Sequence, residues 1–239
     1  MDPLAGSPWS APRTVAGFAS SAPNQALMRW AAGELRRTGG GHLIDLGCGA
    51  GRNAVPLAQL GWQVLGIDLS RPMLEAAVQH AVTARPDAAV RPPQSGRFDV
   101  ALAPMDGLPV RDASCNVIVA HGIWNLARSG TEFQRAVREA ARVARRGAGL
   151  FVFTFSRRTL PADADPVAGE SFVFTQFSGQ PQCFLTEEQL RLELAAAGFF
   201  PDSALPAREL NRPAAGVLTT AGAPVIHEAA FRFAEADVR

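Results

Sequence analysis

The chain has 239 residues, of which 47% are hydrophobic and 19% charged, proportions of a folded core in a length that α/β folds use for one domain. Its formal net charge of +1 gives no electrostatic footprint for nucleic acid or a membrane surface, and no apolar run reaches the ~18 residues of a membrane span. Cys48, Cys115 and Cys183 are odd in number and far apart, which fits neither a disulfide framework nor a CxxC metal site. No basic segment followed by an apolar core opens the chain, so a secretory leader is not expected and a reducing cytoplasm is.

In chain order, residues 1–23 are rich in Pro, Ala, Ser and Gly and are expected to form a flexible arm or a lid, with Trp9 and Phe18 as possible anchors. The spacing of Leu27, Trp30, Ala31 and Leu35 predicts a helix over 24–37, ended by Gly39, Gly40 and Gly41. An apolar run then ends in Asp45, a turn follows with Gly47, Gly49 and Gly51, and 54–60 has helical spacing. Strand, tight loop and helix start place backbone N–H groups against a ligand, and glycines supply positive φ angles and close approach. Residues 62–68 form a second strand ending in Asp68, one β-α-β unit after Asp45. A carboxylate there can accept from both hydroxyls of a ribose, or can simply cap the next helix. Ser70 is the better cap, for a helix reaching about residue 82.

An Arg- and Pro-rich loop is expected over 85–97, then a third strand over 98–104 and a fourth over 115–120. His121, Trp124 and Asn125 follow the fourth strand, at the end where open α/β sheets bind ligands. His121 is the candidate general base, because an imidazole titrates near neutral pH, and packing is its alternative role. Trp124 is a candidate pocket wall. An amphipathic helix over 130–146, capped by Ser129 or Thr131, leads to a fifth strand over 150–155. Arg157 or Arg158 beyond it is a candidate for an anionic substrate group, or surface arginine. A capping box at Thr186 and Gln189 starts the last helix, and 199–210 and 224–234 are expected as the final strands.

The glycine spacing separates two nucleotide classes. A dinucleotide loop, G-x-G-x-x-G, would need its last glycine at position 52, which is Arg52. The pattern D-x-G-x-G-x-G resembles instead the first motif of class I S-adenosylmethionine-dependent methyltransferases. The longer string DLGCGAGRNA is similar to their small-molecule and tellurite-resistance-like branch. The resemblance implies one domain over 1–239: a Rossmann-like, doubly wound seven-stranded sheet, mostly parallel with a final antiparallel strand, helices on both faces.

The same resemblance implies S-adenosylmethionine as cofactor, with S-adenosylhomocysteine as product. The loop would wrap the methionine part, drawing in Asp45, Gly47, Cys48, Gly49 and Gly51. Asp68 and Leu69 would meet the ribose, and Met73 the adenine face. Met105, Asp106 and Gly107 would line the adenine edge, although Leu108-Pro109 follows Asp106 too soon for the family's usual form, and Ala120 would close the site. Trp124, Asn125 and Arg157 would belong to the substrate pocket. An insertion over 159–185 would cap the substrate, with Phe172, Phe174, Phe177 and Phe184 shaping the cavity. The expected reaction is in-line transfer to a small-molecule acceptor, by a monomer or homodimer with no metal, nucleic-acid or membrane partner. A non-catalytic S-adenosylmethionine-binding module and a nicotinamide oxidoreductase are the rivals.

Overall fold

Short apolar runs alternating with helical segments call for a parallel sheet buried on both faces. The computed structural model, which describes residues 2–84, 96–212 and 223–234, has that architecture. Strands β1 (His42–Leu46), β2 (Gln63–Asp68), β3 (Arg97–Leu102), β4 (Cys115–His121) and β5 (Ala144–Phe155) lie parallel in the order β3-β2-β1-β4-β5. Beyond the hairpin β6 (Val173–Phe174) and β7 (Gln182–Cys183) come β8 (Phe199–Pro201), β9 (Arg208–Leu210) and β10 (Ile226–Phe233). Strand β10 enters antiparallel beside β5, and β8 and β9 both pair with its outer edge. The expected strand over 199–210 is therefore two short pieces in one strand position. Pro201 and Pro206 remove backbone donors from it, which breaks the ladder there.

Side-chain alternation along the strands divides the core in two. On one face α2 (Gln25–Thr38), α3 (Ala54–Leu60) and α4 (Arg71–Thr83) bring Leu27, Trp30, Leu57 and Leu74 against Val64, Val117 and Phe151. On the other, α5 (Gly130–Val143) and α6 (Glu187–Ala196) bring Phe133, Val137, Leu190 and Leu194 against Ile44, Ile118 and Leu150. Asp45 and His121 belong to the first face by the same alternation, and Ala120 to the second. Ser129 caps α5, Ser70 caps α4, and Thr186 with Gln189 closes a full capping box on α6. Among the described residues no helix is long and apolar enough to cross a membrane.

Two expectations are refined, and a third lies outside what the structure describes. The arm is ordered from residue 2: a short 3-10 turn at Pro8–Ser10 leads into α1 (Pro12–Ala19), with Pro12 preset for a first helical position. Ser10 and Ser70 share a hydroxyl hydrogen bond of 2.9 Å, Asp2 accepts from the Arg71 N–H, and Trp9 meets Phe18 edge-on. Helix α5 stops at Val143 because Ala144 is already extended and pairs with Cys115. An irregularity between Cys115 and Val117 then absorbs Arg145 to Ala148 before pairing resumes at Gly149. The loop expected over 85–97 lies almost wholly outside the described residues.

Gly149 also explains how α2 sits so close to the sheet. A Cβ there would lie 2.8 Å from Trp30 Cζ2 and 3.0 Å from Glu34 Oε2. Glu34 is buried and holds Arg232 and Arg37, each at 2.6 Å. Gly149→Ala is expected to push α2 outward and destabilise the protein by about 1–3 kcal/mol. Urea unfolding should show a lower midpoint at unchanged slope.

Candidate active site

Beyond β1 the chain turns through Gly47, Gly49 and Gly51 at φ of +65°, +52° and +76°, all in the left-handed region. A Cβ on Gly47 would fall 2.7 Å from Ile123, so the loop threads beneath the end of β4 only without a side chain. Above Gly49 the nearest atoms are Phe18 and Met73, at 3.7 and 3.8 Å from where a Cβ would be. The arm and the start of α4 thus close over the loop. Cys48 points down: its N–H donates to the Ile67 carbonyl at 2.8 Å, and burial raises its thiol pKa well above the usual value. It fills space beneath the loop and is no nucleophile at neutral pH.

Asp68 ties this loop to β2. One carboxylate oxygen accepts from the Gly49 N–H at 2.9 Å and the other from the Ser70 N–H at 2.8 Å. Burial raises its pKa, and backbone donors, including the Leu69 N–H, oppose the rise. A carboxylate offers about four lone-pair sites, so each oxygen retains acceptor capacity. Asp45, just inside the end of β1, is 2% exposed and has no hydrogen-bond partner among the described residues. Burial is the main cause raising its pKa to about 7, opposed by Arg52 and reinforced by the Asp68 charge. Ala120 faces Leu46 across the β1–β4 ladder and is buried.

His121 stacks on Phe153 with ring centroids 4.1 Å apart. Its Nε2 lies 3.2 Å from Asn24 Nδ2, and its Nδ1 lies 3.3 Å from an Arg52 nitrogen. Burial, helped by the Arg52 charge, pushes its pKa down to about 3. The ring is neutral at physiological pH and holds a proton too weakly for an efficient general base.

Several other expected site residues face elsewhere. Asp106 pairs with Arg135 of α5 at 3.0 Å, which turns its carboxylate toward that helix, and Met105 packs against the core. Gly107 closes a turn by donating to the Pro104 carbonyl. Trp124 is fully buried against Phe133 and lines no open pocket, and Asn125 is buried beside it. Arg157 donates to the carbonyls of Leu160, Pro161, Ala162 and Ala164 and lies 4.8 Å over Phe174. That guanidinium fastens the start of the insertion and is not free for a substrate anion. Phe172 packs on Phe133, while Phe174 and Phe184 form a small core of their own with Leu160. The insertion is a folded segment held by its aromatics.

Asn24, Thr154 and His227 were not among the site residues expected from the sequence. Asn24 caps α2 and reaches Asn53, His121 and Glu228. Thr154 and His227 are register partners across β5 and β10. Thr154 Oγ1, His227 Nδ1, Trp124 Nε1 and Asn125 Oδ1 are buried without a hydrogen-bond partner among the described residues. All four belong to the carboxyl ends of β4 and β5 or the strand beginning beside them.

Comparison with known proteins fits this geometry. Residues 44–153 match the family model described as Methyltransferase domain. A ubiquinone biosynthesis O-methyltransferase of Caulobacter vibrioides is 30% identical over 164 residues, 64% of this chain and 57% of that protein. The chain thus spans about half the length of that relative, and shorter matches to other curated methyltransferases cover less of them. An S-adenosylmethionine-dependent methyltransferase of Mesorhizobium loti shares the fold at TM-score 0.60 and 18% identity, over 90% of this chain and all of that one. So does the 1,6-didemethyltoxoflavin-N1-methyltransferase of Burkholderia thailandensis with bound S-adenosylhomocysteine, at TM-score 0.60 and 16% identity over 88% and 79%. Over residues 44–153 the sequence is similar to a methyltransferase domain, and the fold is that of S-adenosylmethionine-dependent methyltransferases of known structure. The methyltransferase match does not favour the nicotinamide reading.

The Asp45 carboxyl makes stability depend on pH. The unfolded chain releases this proton near 3.8 and the folded chain near 7, so the folded state holds the extra proton in between. Stability from this group is complete below the lower value and is lost as pH rises through the higher one. Asp45→Asn, which copies the neutral form, is expected to flatten that fall and to exceed the parent above neutrality by about 1–3 kcal/mol. Urea unfolding across the window checks this, and unchanged slopes would show that the carboxyl ionises freely.

Proposed function

We propose that the protein transfers the methyl group of S-adenosylmethionine to a small-molecule acceptor. The observation that carries the proposal is the pairing of the three-glycine loop with Asp68, anchored by two backbone donors yet still able to accept two more hydrogen bonds. Asp68 would hold the ribose hydroxyls, the glycine loop the methionine portion, and Met73 the adenine face. The cofactor supplies a methyl group already activated on sulfonium and leaves as S-adenosylhomocysteine. The work of this chain is to align the acceptor and keep water out.

Two features support a small acceptor. The insertion folds on a small aromatic core of its own, and as a cap over the acceptor it would narrow that face. The net charge of +1 offers little to a polyanion. With its pKa held near 3, His121 would orient neighbours as a neutral ring, and the acceptor would lose its proton without it.

Calorimetric titration with S-adenosylmethionine, S-adenosylhomocysteine and NADH tests the reading: the two adenosyl compounds are expected to bind and NADH not. Asp68→Ala should weaken both by roughly 1–3 kcal/mol through the lost charge-assisted hydrogen bonds. Unchanged affinity would remove Asp68 from the site. A methyl-acceptor screen comparing small polar compounds with RNA then decides the acceptor class.

A further inference from the structure

A groove of about 480 Å³, a size that small-molecule sites have, lies where α2 faces the β8–β9 turn and β10. Arg29, Trp30, Gly33 and Arg37 line it from α2, and Leu205, Arg208 and Arg232 line it from the other side. None of these residues is among those placed around the cofactor.

The acceptors of the groove are already taken. Glu34 receives Arg37 and Arg232 on its two oxygens. Asp202 receives Arg232 on one oxygen and the Ala204 N–H on the other at 3.0 Å. Glu228, behind Arg208, receives that guanidinium on one oxygen and Asn24 on the other at 2.8 Å. Donors are left over. Among the described residues Arg37 Nη1, Arg208 Nη1 and Arg232 Nε have no partner, and Arg29 forms neither a hydrogen bond nor an ion pair. Four guanidinium groups therefore meet three carboxylates, an excess of one positive charge. A carboxylate matches that charge and fits the guanidinium fork, whereas a phosphate monoester carries about −1.5 to −2 at pH 7 and overshoots it.

The floor of the groove is apolar and kept open. Trp30 is buried, and its indole N–H has no hydrogen-bond partner among the described residues. Leu205 packs against the same cluster of side chains. Gly33 lies between Arg29 and Arg37 at four-residue spacing, so the three share one face of α2. Glycine inside a helix costs stability relative to alanine, and packing does not require it here. A Cβ at Gly33 would meet only the tip of Arg36, at 3.9 Å. What the missing side chain provides is a gap between two guanidinium groups.

We propose that this groove binds a small organic carboxylate, its head held by Arg29 and the spare donors of Arg37 and Arg208, its apolar body resting on Trp30 and Leu205. The site is separate from the one where the methyl group would be transferred, and the proposal stands without the cofactor assignment.

An NMR titration that follows the indole N–H signals of the four tryptophans tests it, with benzoate, benzamide and inorganic phosphate as probes. Benzoate should shift the Trp30 signal saturably, and benzamide, the same body without the charge, should bind at least about tenfold more weakly. Arg29 is exposed and bears on no packing, so Arg29→Glu should fold normally and weaken benzoate about tenfold. Gly33→Leu should also abolish the shift, by filling the gap with a better helix former. An unmoved Trp30 signal would overturn the proposal, as would equal binding of benzamide or tighter binding of phosphate. Benzoate binding that persists unchanged in both variants would place it elsewhere on the molecule and overturn the proposal too.

Discussion

The fold of the site depends on one short link between neighbouring strands. The Cys48 N–H donates to the Ile67 carbonyl while Asp68 accepts from the Gly49 N–H, so the glycine loop is tied to the end of β2 at two successive residues. That tie fixes the loop between β2 and β4, and the closeness of Gly47 to Ile123 leaves it no other path. Asp45 is then near enough to Asp68 and Arg52 to feel both charges, as a consequence of backbone geometry. Burial makes both carboxyls hold their protons more tightly than they would in solvent.

Local features of this arrangement were legible in the sequence. The alternating glycines and the acid before them are a backbone requirement, written within seven residues. Caps at Ser70, Ser129 and Thr186 are similarly short in range. Side-chain direction was not legible. Arg157 and Trp124 follow strand carboxyl ends as substrate residues would, but one turns to local carbonyls and the other into the core. Nothing in a linear pattern records that choice, because it depends on what the neighbouring segment offers. His121 is the same case: its position suggested a base, and its environment, Arg52 and Phe153 from distant segments, set its proton affinity.

The arm shows composition misleading in another way. Its Pro, Ala, Ser and Gly content is that of a loose segment, yet Pro12 starts a helix and Ser10, Trp9 and Phe18 meet α4 and the loop. A segment with little core of its own is ordered by docking on another's surface. Asn24 makes this docking continuous with the sheet. It begins α2 directly after the arm, holds Asn53 at the end of the glycine loop, and reaches Glu228 on β10.

The divided outer strand has a consequence for the molecule among its neighbours. A sheet edge with regular unpaired N–H and C=O groups is a template for another chain. On one side of this sheet β8 and β9 are three residues each, separated by a turn and flanked by prolines, so the described residues present no continuous ladder there. On the other side β3 sets Arg97 and Asp99 on the rim, paired with each other and largely in solvent. A strand arriving from another copy would find too few bonds at one edge and would have to strip water from charges at the other. The sheet is therefore closed to growth without being closed into a barrel.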